Sequence, residues 1–276
     1  VIGGMVLLPF AIRQARIDKF QLNISSILRI GSLGILNVCV SMLLLQLSIF
    51  YGKASLTAVI VSMNPLFVSL FAMLLINEKM NKSQIISLAI GVIGLLIIIL
   101  SEGDIHTAQY RNLNLGIVLA IAASLTFGFY TVRTKKAVLS YGNLLTNSVS
   151  FLCGGLVLLL INLMIGKQMV FGLNLRNMMF MGYLGFVITG LAYLLYFEGM
   201  KIISAADASA YFFLKPALAT LLAYFILKES LNWMQVMGIL LIVVSLSRAS
   251  IIRYLHYPKN RIDSDISTKP SELSAP

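Results

Sequence analysis

Apolar stretches of about twenty residues recur along this 276-residue chain, with short polar turns between them. A stretch of that length is what a helix needs to cross a hydrocarbon core about 30 Å thick. No water is available there to bond a free N–H or C=O, so only helices or closed barrels can span. A barrel would show shorter segments of alternating polarity. Stretches such as "QIISLAIGVIGLLIIILS" (84–101) are apolar all round instead. Hydrophobic residues make up 59% of the chain and charged ones 11%, less than half the charge of a soluble domain, about 25%. The fold class is therefore an all-α polytopic membrane protein.

The segments fall at about 1–12, 29–50, 54–76, 84–101, 113–132, 144–165, 178–199, 204–227 and 233–251, nine in all, the first of half length. Residues 252–276 are polar and rich in Ser and Pro and are expected to form a disordered tail. The net charge of +11 would point to nucleic acid in a soluble protein. Here the basic residues lie mostly between the apolar segments, where they set orientation. Arg13, Arg16, Lys19 and Arg29, then Lys79 and Lys82, then Arg133, Lys135 and Lys136, and finally Arg248, Arg253, Lys259 and Arg261 fall on one side of an alternating topology. The other side has Lys53, Arg111, Lys167, Arg176 and Lys228 with the acidic Glu102 and Asp104. The 13–29 loop and the C-terminus are thus expected in the cytoplasm, and the chain in the cytoplasmic membrane.

Shifted by 151 residues, the chain lies on itself without a gap. Gly3-Gly4 falls on Gly154-Gly155, and "GSLG" at 31 falls on "GYLG" at 182. Ala54 meets Ala205, Pro65 meets Pro216, Glu78 meets Glu229, Asn81 meets Asn232 and Gln84 meets Gln235. Asn81 with Gln84, and Asn232 with Gln235, read as capping boxes that open a membrane helix. Glu78 and Glu229 close the preceding helices and read as structural. The 113–132 segment has no partner in the first half, so the chain is expected to be an N-terminally shortened form of a ten-helix protein. Its domains are a first repeat over 1–101, a second over 113–251 and the tail. Five spans per repeat is an odd number, which makes them inverted-topology repeats, a frequent plan of secondary transporters with a midplane site between the halves.

The paired stretches "ASLTAVIVSMNPLFVSLFAMLLINE" (54–78) and "ADASAYFFLKPALATLLAYFILKE" (206–229) resemble the EamA-type transporters of the drug/metabolite transporter superfamily. The resemblance covers nearly the whole chain except the tail. It implies alternating-access transport of a small metabolite, with an amino acid or a related compound as a candidate and export as the expected direction. An ion channel, or an inactive fragment, is the alternative reading.

Within the segments, polar residues mark the candidate site. Lys215 lies near mid-depth, where insertion of a lysine costs about 2.5–3.5 kcal/mol, so it is expected to face a cavity or a partner. Its structural alternative is an ion pair with Glu198. Pro216 and Pro65 remove helical hydrogen bonds and are expected to kink their helices, and each follows a polar residue, Lys215 or Asn64. Asp207, Tyr211 and Lys215 recur every four residues, which puts them on one stripe of a helix. Tyr193, Tyr196, Phe127 and Tyr130 are candidate aromatic lining, and Asn37 is a further polar candidate. No cofactor and no metal are expected: Cys39 and Cys153 sit inside apolar runs, and His106 and His256 lie away from any acidic cluster. Catalysis is not expected, because no His, Ser or Asp constellation occurs within the segments. The partners implied are a small-molecule substrate, the lipid bilayer and a coupling proton or ion.

The orientation is testable with reporters. Fused to the C-terminus, green fluorescent protein should fluoresce and alkaline phosphatase should be inactive; the opposite pattern would reverse the assigned topology.

Overall fold

A computed structural model describes residues 1–17, 23–52, 54–101, 112–165, 174–228 and 231–256. The described residues form helices: α1 (Ile2–Ile17), α2 (Ile24–Tyr51), α3 (Ala54–Ser62), α4 (Asn64–Ile76), α5 (Lys82–Ser101), α6 (Leu113–Tyr141), α7 (Asn143–Met164), α8 (Leu175–Ile202), α9 (Ala205–Ile226) and α10 (Trp233–His256). Among the described residues, six of these (α2, α5, α6, α7, α8 and α9) are long and apolar enough to cross a membrane. Leucines such as Leu74, Leu100, Leu139, Leu160 and Leu195 stand exposed on the outer faces. So extensive an apolar surface has no place in water and is suited to lipid tails. The molecule is a multi-pass membrane protein.

Four sequence-based boundaries are corrected, the first being the expected 13–29 loop: Arg13 and Arg16 lie on α1 and Arg29 on α2. Segment 54–76 is not one helix but two, broken at Met63 (φ −81°, ψ 5°), with Pro65 in the first turn of α4. Proline has no N–H to continue the ladder and is well accommodated at a helix start. The helix expected over 113–132 continues to Tyr141, so Arg133, Lys135 and Lys136 lie on α6 and not in a loop. The last helix continues to His256, five residues past the expected end of the span; residues 257–276 lie outside the described residues, as do His106 and Glu229.

Close helix crossings hold the bundle. α7 packs on α1 and α2, α6 on α2 and α4, and α5 on α10. At the α2–α7 crossing a Cβ on Gly34 would strike the Ser150 carbonyl, and one on Gly154 would strike the Gly34 carbonyl. Small residues are what lets membrane helices approach this far. The element starts also recur: α2 and α8, α3 and α9, and α5 and α10 each begin 151 residues apart.

One polar cluster joins elements distant in sequence. Asn77 closes α4 in the left-handed conformation (φ 53°), which asparagine tolerates, and this sets the direction of Glu78. Its Oε1 pairs with Lys135 Nζ of α6, and its Oε2 accepts from the Ala205 N–H at the start of α9, 2.8 Å away. Lys135 Nζ also donates to the Ile203 carbonyl at 3.0 Å. Beside it, Asn81 and Gln84 cap α5 reciprocally, at 2.9 and 2.7 Å. Gln84 Nε2 reaches on to Asp207 Oδ2 at 3.1 Å. Asn232 and Gln235 share the first of these contacts, the Asn232 N–H donating to Gln235 Oε1 at 2.9 Å. The Lys135 side chain is 9% exposed and that of Glu78 23%, so losing one partner strands a largely buried charge. Glu78→Ala should lower stability by about 2–3 kcal/mol in thermal unfolding of the detergent-solubilised protein. The Glu78→Leu/Lys135→Met double variant should recover most of it; equal losses in the two would refute the pairing account.

Candidate functional site

A cavity of about 410 Å³ lies between the two halves of the chain. α2 contributes Asn37, Ser41, Met42 and Leu45, and the α3–α4 break contributes Val61 and Asn64. From the other half, α6 contributes Ala123, Ser124 and Phe127; α8 contributes Ile188, Ala192, Tyr193 and Tyr196; and α9 contributes Phe212 and Lys215.

Irregular backbone surrounds this space. α2 widens into a π turn at Leu36–Ser41 and α8 into another at Tyr183–Leu191. A 3₁₀ turn at Tyr211–Phe213 precedes Lys215. Pro216 accounts for the last of these, because its ring crowds the carbonyl of Phe212 and an α-helical course through that carbonyl is disfavoured. Such departures recur at functional sites within helices.

The aromatic wall is continuous. Tyr196 stacks on Phe212, with centroids 5.1 Å apart and planes 22° apart, and Phe127 meets Phe212 at 5.8 Å. Lys215 Nζ sits 4.1 Å from the Phe212 ring centroid, a cation–π contact. Among the described residues no carboxylate lies within ion-pair distance of Lys215. The alternative Lys215–Glu198 pair is not formed: Glu198 instead accepts from Lys201 at 2.9 Å and from Asn143 at 2.7 Å. Asn37 is 1% exposed and faces the hydroxyls of Tyr130 and Tyr193. Neither atom of its amide has a partner in hydrogen-bonding geometry, and Asn64 Oδ1 and the Tyr196 hydroxyl are likewise unpartnered. Buried polar atoms are seldom left so.

Of the residues singled out in the sequence, Lys215, Asn64, Asn37, Tyr193, Tyr196 and Phe127 come together on this cavity. Three do not reach it. Tyr130 is fully buried behind Phe127, 6.2 Å away ring to ring. Asp207 is turned to Gln84, and Tyr211 is nearly half exposed. The 3₁₀ turn, with three residues per turn, breaks the stripe that an unbroken α-helix would draw from Asp207 to Lys215. Phe212, Ser41 and Ser124 were not singled out, and for Phe212 the signal was its place three residues before Lys215. Lys135 reads from the sequence as a loop residue, because nothing in its neighbourhood marks it as buried.

The EamA-like transporter family matches residues 1–100 and again 114–250. The chain belongs to that family. Among its relatives, a Clostridium kluyveri protein described as an uncharacterized transporter is 35% identical over 275 residues, covering 100% of this chain and 86% of that one. Protein PecM of Dickeya dadantii is 29% identical over 223 residues, covering 79% and 72%. A solved crystal structure superposes with a TM-score of 0.74 at 16% identity, covering 92% of this chain and 86% of that one, and so shares the fold.

The unpartnered amide leads to a test. Removing a buried, unpaired polar group should be neutral or favourable, by about 1 kcal/mol. Asn37→Leu should therefore unfold at the same or a higher temperature than the unaltered protein. A clear fall in melting temperature would show that the amide is structurally bonded.

Proposed function

We propose that this EamA-like transporter is a secondary transporter of the cytoplasmic membrane that alternates access to the central cavity. The reading takes the chain as two inverted-topology repeats, and the cavity as the site between them. Asn64 and Lys215 stand at equivalent places of the repeat and would meet the substrate from opposite halves, with Asn37, Phe127, Tyr193 and Tyr196 completing the contact. Export of a small metabolite is the direction proposed, with a proton or ion as the coupling partner.

The observation that carries this reading is a lysine on the wall of a cavity built by both halves, with no carboxylate within ion-pair distance among the described residues. A charge at that depth is costly unless something uses it. The Glu78–Lys135 cluster supports it further. It ties the ends of α4 and α6 to the turn before α9, on the side assigned to the cytoplasm. Opening the cavity to that side would require these contacts to separate. A small set of buried bonds at one face is the kind of bistable element on which alternation depends.

A channel would be open to both sides at once, and labelling separates the two. In a background without Cys39 and Cys153, a single cysteine at Ser124 should be modified by a membrane-impermeant maleimide from one face only. Glu78→Gln should shift that reactivity toward the cytoplasmic face. In proteoliposomes, Lys215→Ala should abolish counterflow while leaving the melting temperature nearly unchanged. Simultaneous labelling from both faces of the unaltered protein would sink alternating access. A Lys215→Ala protein that is badly destabilised yet still transports would make the lysine structural.

A further inference from the structure

We infer that the ligand of the central cavity is a monoanionic carboxylate carried on a flat apolar body and lacking an ammonium group, an inference that rests on the transport reading of that cavity. Charge decides the first part. Lys215 is the one charged residue among the described residues that line the space, and none of them is acidic. Asp207 and Glu198 are engaged elsewhere, with Gln84 and with Lys201 and Asn143. A carboxylate would neutralise Lys215 and accept from the groups that lack partners, the Asn37 amide and the Tyr196 hydroxyl.

An ammonium group fares differently. In an α-amino acid it lies within a few bonds of the carboxylate, so binding the acid at Lys215 brings a second cation close to the first. The repulsion acts beside an apolar wall that screens poorly, and no acidic side chain among the described lining residues offsets it. The acceptors left are neutral amide oxygens of Asn37 and Asn64 and the faces of aromatic rings. The amine is thus a burden at this site, and an amino acid is a worse fit than its deaminated counterpart.

Shape decides the second part. Tyr196, Phe212 and Phe127 form a stacked and tilted wall directly beside Lys215. Aliphatic Met42, Leu45, Val61 and Ile188 also line the space. A ring laid against the aromatic wall would keep its carboxylate at the lysine, taking up the cation now held over Phe212. A small hydrophilic acid such as acetate would leave that wall without a partner.

Three compounds with one ring separate the possibilities: 3-phenylpropanoate, phenylalanine and phenethylamine. Equilibrium binding to the protein in nanodiscs, by titration calorimetry, should show 3-phenylpropanoate at least tenfold tighter than phenylalanine, with phenethylamine and acetate not binding. The series requires no variant. Lys215→Met should then weaken 3-phenylpropanoate at least tenfold, while Lys215→Arg should retain most of it. Phenylalanine equal to or tighter than the acid would overturn the inference in favour of a zwitterion. Binding of phenethylamine, or of none of the four compounds, would overturn it as well. Transport is judged separately: an acid that binds with this selectivity but shows no counterflow leaves the ligand class standing and removes the transporter mechanism. One-sided maleimide labelling without acid binding does the reverse.

Discussion

In a bilayer every backbone N–H and C=O must find its partner within the protein, and the architecture of this molecule follows from that constraint. It makes the long apolar segments helical. Most departures from regular winding are gathered around one place, with the π turn at Ala223–Leu227 of α9 lying apart from it. The π turns of α2 and α8, the break at Met63 and the 3₁₀ turn before Lys215 all border the central cavity. Non-helical backbone is tolerated at membrane depth where protein or a cavity covers it, and here the irregular turns shape the space they border.

Polar groups are distributed by the same logic. Most serine and threonine hydroxyls bond a carbonyl nearby or on the neighbouring helix, as Ser69 does to Pro65 at 2.6 Å and Ser41 to Ala123 at 3.1 Å. Glu78 and Lys135 satisfy each other and two backbone groups of the turn before α9. Against that background Lys215 stands apart, a charged side chain on the cavity wall with no carboxylate within ion-pair distance among the described residues.

Much of this was legible in the chain. Apolar length marks membrane helices because the bilayer demands it, and the Asn–Gln pairs mark helix starts because two side chains and two N–H groups satisfy one another locally. Lys215, Asn64 and Asn37 could be picked out because polar residues in apolar runs are rare. Less legible were features set by partners far away. Lys135 looks like one of three basic residues after a span, and only the approach of Glu78 and the Ile203 carbonyl makes it a buried tie. Asp207 and Tyr211 share a period of four with Lys215, yet a single tightened turn removes them from its face.

The sequence by itself determined that this is a helical membrane protein, where its capped helices start and which polar residues need an explanation. Those properties depend on local hydrogen bonding and on the thickness of the bilayer, and both act segment by segment. Tertiary structure decided which of the polar residues meet, because the side chain a residue faces depends on helix crossing, on local winding and on where the chain returns. It separated Glu198 from Lys215, joined Glu78 to Lys135, and left one lysine over an aromatic ring in a cavity with no acid among its described lining residues.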